Sequence, residues 1–171
     1  MNESIGTRNR VKGHHAERFY AKVFKDLGYT KCVTARLGGR IFDNAGIDII
    51  NIPFNIQIKS GKQTKLSPGK VLLNMHSQID SLFPENHEVR GYPLFVIHRP
   101  NPFSKNFDED TVYMTYNQYM SFNLPILYQD LKIRKARMST DFGAIVSIKF
   151  YRLFNIKFFD IKDGKDLLQQ P

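Results

Sequence analysis

A carboxylate, an amide and an amine lie close together in the segment GIDIINIPFNIQIKSG, residues 46–61. Asp48 offers carboxylate oxygens, Gln57 a side-chain carbonyl and Ile58 a backbone carbonyl. These are hard oxygen ligands that suit Mg²⁺, which keeps waters in its remaining positions. A cation held there would polarise a phosphoryl oxygen and activate a water, while Lys59 would position that water or neutralise charge developing on the phosphate. The chemistry predicted is metal-dependent hydrolysis of a phosphodiester bond.

The isoleucine-rich runs around these residues predict a β-hairpin that would bring them together. Its strands are expected at about residues 47–52 and 55–60, joined by a turn at Pro53-Phe54. In that register Ile50 faces Gln57 and Asp48 faces Lys59, so the three polar groups share one face of the sheet. The apolar residues of the opposite face are then Ile47, Ile49, Ile56 and Ile58. A slip of one residue would bury the charges, so the register is strongly specified.

An amphipathic helix precedes the hairpin and carries another carboxylate. Apolar residues recur at steps of three and four over residues 11–27, and Gly28 follows as a stop signal. Glu17 lies at the margin of the core-facing side, where burying an unpaired charge is costly. We expect the Glu17 carboxylate to bind a second cation or a water held on the first cation. The alternative is a surface ion pair with Arg18 or Lys22.

The rest of the chain predicts further strands and helices. An extended segment broken by Gly38-Gly39 is expected over residues 33–42, a helix at about 75–82 and a buried strand at 92–100. A strand running into a short helix follows within 110–122, and two more strands within 143–164. The order of helix, strand, strand, helix, strand indicates an α/β fold with a mixed sheet. We expect one domain, residues 1–171, with a core at about 8–125 and a strand-rich extension at about 126–171.

The chain is strongly basic, with 25 Lys and Arg against 16 Asp and Glu and a net charge of +9. Polyanions are the expected partners, and nucleic acid fits better than a membrane surface because the basic residues do not line one amphipathic helix. The segment from Arg36 to Arg40 fits a phosphate clamp and an exposed turn equally well. The residues predicted to contact DNA are Arg8, Arg10, Lys12, Arg36, Arg40 and Lys62.

Two C-terminal features are given more ordinary roles. The basic run formed by Lys132, Arg134, Lys135 and Arg137 is interpreted as a solvated surface, with DNA contact as the alternative. The aromatic residues of the segment favour core packing or a dimer interface over stacking on bases; they are Phe150, Tyr151, Phe154, Phe158 and Phe159.

The single cysteine, Cys32, excludes an intrachain disulfide and a cysteine-cluster zinc site, as expected in a reducing compartment. The first residues lack the apolar core of a signal peptide, and no apolar run reaches the roughly 20 residues that cross a bilayer. We therefore expect a protein of the cytoplasm, in a bacterial cell or a phage-infected host cell.

The spacing of Asp48, eight intervening residues and then Gln57-Ile58-Lys59 resembles the D-x(n)-(E/Q)-x-K pattern of PD-(D/E)XK nucleases. The upstream KGHHAERF, with Glu17 in the first helix, resembles the opening of the phage and archaeal-type Holliday junction resolvases of that superfamily. The resemblance covers roughly residues 8–62. Gln57 in place of the usual Glu occurs in branches that resemble the Mrr restriction enzymes. It removes one negative charge and predicts weaker metal binding.

The resemblance implies a restriction-endonuclease-like fold, in which helices flank a mixed β-sheet, and a homodimer. The implied cofactor is Mg²⁺, with Mn²⁺ as a substitute. The implied catalytic residues are Glu17, Asp48, Gln57 and Lys59, and the metal ligands are Glu17, Asp48, Gln57 and the carbonyl of Ile58. The expected function is an endodeoxyribonuclease that resolves Holliday junctions or other branched DNA. Two alternatives stay open: a restriction-type or nonspecific DNA nuclease, and a non-catalytic nucleic-acid-binding module with a decayed site.

Overall fold

The structure is a computed structural model that describes residues 5–62, 66–121, 132–134, 144–150 and 153, with only the backbone at 5, 8 and 132–134. The elements in chain order are α1 (Ile5–Asp26), β1 (Val33–Thr34), α2 (Ala35–Gly38), α3 (Arg40–Asn44), β2 (Ile49–Ile50), β3 (Asn55–Ser60), α4 (Pro68–Leu82), a 3-10 turn (Glu88–Gly91), β4 (Leu94–Arg99), β5 (Thr111–Thr115), α5 (Tyr116–Ser121), β6 (Lys132–Arg134) and β7 (Ile145–Lys149).

The strands that the structure describes form one mixed sheet of seven, in the order β1-β2-β3-β4-β5-β7-β6. Among these described strands only β3 and β4 are parallel, with Asn55 paired to Leu94 and Ser60 to Arg99, and the other neighbours are antiparallel. A parallel pair needs a crossover connection, which α4 supplies between these two strands. The predicted α/β class with a mixed sheet is therefore confirmed.

Helices cover both faces of the sheet. Alternate residues of β4 therefore pack in two separate apolar clusters, one on each face. Phe95 and Ile97 of β4 pack with α1 through Tyr20 and Phe24. Leu94 and Val96 of the same strand belong to the cluster of α4, which contributes Leu72, Met75 and Ile79. A strand buried on both faces must be apolar throughout, which explains why Leu94–Ile97 is a continuous hydrophobic run.

The predicted first helix is confirmed, and its C-terminal end follows from Gly28. Gly28 has a φ of 103°, in the left-handed region that favours glycine. The N–H of Gly28 bonds the carbonyl of Lys25 and that of Tyr29 bonds the carbonyl of Phe24, which is the Schellman pattern. The helix therefore stops where the chain must turn back towards the sheet at β1.

The hairpin is present, but its predicted register and turn are wrong. Ile49 pairs with Ile56, so Asp48 lies level with residues 56–58 and not opposite Lys59. Phe54 cannot lie at the tip of a turn because its ring is buried against Phe95 and the α1-side core. A four-residue loop, 51–54, makes the connection instead, with Asn51 at a φ of 63°.

The predicted single apolar face is also wrong at Ile47. Ile49 and Ile56 pack on the α1 side, with Ile58 partly buried against them. Ile47 packs with the α4-side cluster. Only residues 49–50 form regular strand here, so the two-residue alternation does not extend back to position 47.

The predicted extended segment at residues 33–42 is wrong beyond its first two residues. Thr34 ends β1, and the two short helices α2 and α3 follow, separated by Gly39 at a φ of 143°. The sequence after Thr34 favours this outcome, since Ala, Arg and Leu are strong helix formers.

Four later expectations are confirmed. The predicted helix at 75–82 exists and starts earlier, at Pro68, a residue suited to the first helical turn. Strands β4 and β5 and helix α5 lie where predicted. The first predicted C-terminal strand is β7, which pairs with β5 and β6 in the same sheet.

The second predicted strand of the C-terminal segment lies outside the described residues. So do Tyr151, Phe154, Phe158 and Phe159, together with Lys135 and Arg137 and the side chains of Lys132 and Arg134. Phe150 packs in the core against Tyr20 and Phe24, as its interpretation as a core residue predicts.

A buried polar network ties α1 to the turn that follows β4. Arg99 is fully buried and bonds both Asp110 and the carbonyl of Ser104. Its guanidinium lies 3.6 Å from the ring centroid of Phe19, and Tyr20 donates a hydrogen bond to Asp110.

None of the helices in the described part of the chain has the length and apolar character to span a membrane.

Candidate active site

Asp48 lies at the junction of the first three strands. Its backbone N–H bonds the carbonyl of Ile56 at 2.7 Å, and its own carbonyl accepts from Ala35 at 2.9 Å. Its carboxylate Oδ2 accepts a hydrogen bond from the N–H of Ile58 at 2.6 Å. The side chain thus accepts a hydrogen bond that a backbone carbonyl of the neighbouring strand would otherwise accept. The predicted register instead required the side chain to project from one face of the sheet.

The electrostatic environment of Asp48 is unusual for an aspartate. Burial raises the pKa of its carboxyl from 3.8 to about 7, and the nearby negative charges of Glu17 and Asp43 add to the rise. The hydrogen bond from Ile58 and the ammonium of Lys59 oppose it. A desolvated carboxylate with other acids near it gains from a bound cation, and strongly perturbed carboxyls of this kind concentrate at functional sites.

Glu17 is buried, at 6% exposure, and its partner is Arg36. The guanidinium binds both carboxylate oxygens, with Nε 2.9 Å from Oε2 and Nη2 3.3 Å from Oε1. The expectation that this carboxylate needs a partner is met, but the surface alternatives Arg18 and Lys22 are wrong. Arg18 instead donates to the carbonyl of His14. Arg36 comes from α2, which the chain folds back against α1 through β1.

Gln57 has its side-chain amide packed against Gly46, two residues before Asp48. A Cβ on Gly46 would lie 2.9 Å from Nε2 of Gln57 and 3.5 Å from Cγ of Met75. Gly46 also has a φ of 75°, so a side chain at this position would be strained as well as crowded. The glycine therefore provides the space in which the amide lies beside the Asp48 segment.

Lys59 lines a cleft of about 680 Å³ at the end of β3. Two predicted DNA contacts, Lys12 and Lys62, line the same cleft. Arg10 and Arg40 are exposed, Arg36 is held by Glu17, and the side chain of Arg8 lies outside the described residues. The predicted basic residues are therefore divided between this cleft, the exposed surface of α1 and the surface around α2 and α3.

The described oxygen ligands fit a hard cation at Asp48. Oδ1 of Asp48 accepts no hydrogen bond from the residues that the structure describes. The Asp48 carboxylate, the amide of Gln57 and the peptide carbonyl of Ile58 are oxygen donors of the type that Mg²⁺ prefers. Within that part of the chain, no group of three or more His, Cys, Asp or Glu side chains could hold a metal. A Mg²⁺ site here would use one or two carboxylates, and Glu17 would join it only after Arg36 had moved away.

Sequence reasoning did not assign three residues to the positions that they occupy around the site. Asp43 lies on α3, which the sequence did not predict, and Arg36 was assigned to a phosphate clamp. Phe103 lines the cleft from the turn after β4. Its position between Pro102 and Ser104 in a polar loop is the only sequence signal, since an aromatic residue there has no strand to pack in.

Comparison with known proteins leaves the site to be interpreted from its geometry alone, because no family model, no curated protein and no solved structure matches this chain.

Proposed function

We propose that the protein is a Mg²⁺-dependent endodeoxyribonuclease of the PD-(D/E)XK kind, with Asp48, Gln57 and Lys59 as catalytic residues and Glu17 as an additional carboxylate. The observation that carries the proposal is the position of the Asp48 carboxylate, which accepts the N–H of Ile58 at 2.6 Å, between Gln57 and Lys59 on β3. The charges of Glu17 and Lys59 shift the pKa of this carboxyl in opposite directions. A carboxyl group partly removed from water beside an amine is costly for the fold and useful for phosphoryl chemistry.

The fold is compatible with this proposal. Helices flank a mixed sheet, and the hairpin that carries the Asp and the Gln-x-Lys lies against the first helix, which carries Glu17. The restriction-endonuclease-like architecture and the homodimer expected from the resemblance belong to the same proposal. A two-fold dimer would present two such sites, as symmetric cleavage of a four-way junction requires.

Each residue of the proposed site has a separate task in the reaction. Asp48, Gln57 and the carbonyl of Ile58 would hold the cation, and Mn²⁺ should substitute for Mg²⁺. The cation, once bound, supplies Lewis-acid polarisation of the phosphate and activation of water. Lys59 would orient the attacking water and neutralise charge on the phosphate oxygens as the bond to the leaving oxygen breaks.

One observation favours a second function, a nucleic-acid-binding module without catalysis. Arg36 neutralises Glu17 through two hydrogen bonds, and Gln57 gives the site one carboxylate fewer than a Glu would. In that version the basic cleft binds nucleic acid and the carboxylates serve the fold. A restriction-type or nonspecific nuclease remains the alternative within the same chemistry.

The test is cleavage of an end-labelled four-way junction and a matched linear duplex, each with Mg²⁺, Mn²⁺ or EDTA. Wild type is compared with Asp48→Asn and with Asp26→Asn, a control that removes an exposed carboxylate at the C-terminal end of α1. Metal-dependent, symmetric cutting of the junction, lost only in Asp48→Asn, supports the resolvase assignment. Equal cutting of the duplex indicates a general nuclease. Salt-sensitive binding without cutting by wild type would support the binding module instead.

A further inference from the structure

The cleft beside Lys59 is built for an anion. It opens between the first half of α1 and the turn after β4, and Lys12, Lys59 and Lys62 all line it. None of the described residues lining the cleft is acidic. Its volume of about 680 Å³ lies within the roughly 300–1,000 Å³ typical of small-ligand sites, so a nucleotide unit would fit.

An aromatic residue, Phe103, also lines this cleft. Phe103 is 55% exposed, although its turn is well anchored. Nδ1 of His15 donates to the carbonyl of Pro102 at 2.7 Å, and the His15 and Phe103 rings lie with centroids 5.0 Å apart. The N–H of Phe103 bonds the side chain of Asn101 at 3.2 Å. These contacts hold the ring in place without burying it.

A fixed, half-exposed aromatic beside several ammonium groups matches the way proteins bind single strands. There, basic side chains follow the phosphates while bases stack on aromatic rings. A base inside a duplex has both of its faces covered by neighbouring pairs. A ring in the position of Phe103 can therefore stack only on a base that is unpaired or displaced, as at a branch point, a flap or a single strand.

We infer that the cleft binds an unpaired nucleotide next to the scissile phosphate, with its base stacked on Phe103 and its flanking phosphates on Lys12 and Lys62. The position next to a scissile phosphate rests on the proposed nuclease function, whereas the stacking itself does not. Phe103 is then a specificity-determining residue, which selects DNA with unpaired bases over perfect duplex.

The first test measures binding by fluorescence anisotropy in EDTA, with a labelled dodecamer of deoxythymidylate and a duplex of equal length. Phe103→Ala should weaken single-strand binding by about fivefold to a hundredfold, the range found for loss of one stacked base, and change duplex binding less than twofold. Met120→Ala is the matched control, because Met120 is 46% exposed and does not line the cleft. Equal single-strand affinity of Phe103→Ala and wild type would overturn the inference.

A second measurement reports stacking directly. The sequence contains no tryptophan, so Phe103→Trp introduces the only indole. Its fluorescence should be quenched by the single strand and much less by the duplex, whereas binding of the single strand without quenching would contradict stacking. Lys12→Ala should lower the slope of log affinity against log salt by roughly 0.7, as expected for one lost phosphate contact on a single strand.

The outcomes separate this inference from the proposed function. If wild type cleaves nothing while Phe103→Ala still weakens single-strand binding, the nuclease proposal fails and the stacking site stands. If wild type cleaves and Phe103→Ala binds and cleaves like wild type, the stacking site fails alone.

Discussion

Replacing Asp48 by Asn should stabilise the metal-free protein at neutral pH. The carboxyl has a pKa of about 7 in the folded chain and 3.8 in the unfolded one, chiefly because the fold removes it from water. Each unit of difference is about 1.4 kcal/mol, which sets an upper limit of about 4 kcal/mol. Partial contact of the side chain with solvent reduces this to about 2 kcal/mol. The Asn oxygen can still accept the hydrogen bond from Ile58, so the substitution removes the charge and keeps the contact.

The sign of the stability difference between wild type and Asp48→Asn at each pH follows from the two pKa values. Well below pH 3.8 the carboxyl is protonated in both states, and wild type and Asp48→Asn should be equally stable. Between pH 4 and 7 the unfolded chain ionises first, so folding takes up a proton and wild type loses stability relative to the variant as pH rises. Above pH 7 the loss is complete, and the variant should unfold about 4–8 °C higher.

The assay is urea unfolding followed by circular dichroism in EDTA at pH 4.5, 6 and 8. The quantity compared is the difference in free energy of unfolding between wild type and variant, since other titrating groups cancel in it. Asp26→Asn is the control, because Asp26 is exposed at the end of α1, and it should show less than about 0.5 kcal/mol at every pH. Mg²⁺ should raise the free energy of unfolding of wild type but leave that of Asp48→Asn unchanged. A difference independent of pH, or a variant less stable at pH 8, would refute the argument that Asp48 is held in a desolvated state.

Three further substitutions test the site and the fold around it. Gln57→Glu should tighten Mg²⁺ on the order of tenfold in calorimetric titration, because it adds a full charge to the ligand set; unchanged affinity would show that position 57 does not face the cation. Gly46→Ala should slow cleavage by about a hundredfold, since it displaces the Gln57 amide, and cost only about 1–2 kcal/mol of stability; cleavage and stability falling in proportion would contradict a positioning role. Tyr20→Phe should destabilise by about 1–2 kcal/mol in denaturant titration, because it removes a hydrogen bond from buried Asp110, and leave cleavage per folded molecule unchanged.

The sequence predicted those parts of the fold whose signals are local. The 3.6-residue pattern and Gly28 are enough to define most of α1, and the apolar run of β4 is recognisable without any partner. The α/β class follows from the order of such elements. Glu17 could be predicted to need a partner because its position on the helix decides its burial.

The register of the hairpin could not be predicted, because it depends on contacts far apart in the sequence. Pro53-Phe54 resembles a turn locally, yet Phe54 gains more by packing against Phe95 and Tyr29 than it could at an exposed tip. The partner of Glu17 was missed for the same reason, since Arg36 reaches it only when α2 is helical and folded back. The cleft, too, is formed by a helix and a turn more than 80 residues apart, as the 87-residue separation of His15 and Pro102 illustrates.

The buried ion pair of Arg99 has a consequence for how the two walls of the cleft move. One wall is α1, whose Phe19 and Tyr20 surround the guanidinium, and the other is the turn that Arg99 holds through Ser104. Opening the cleft by separating these walls would leave a buried charge without its partners, so the two segments should exchange their amide hydrogens with solvent as one cooperative unit. A strand would then enter a preformed groove, and association should follow a single kinetic phase whose rate depends on salt.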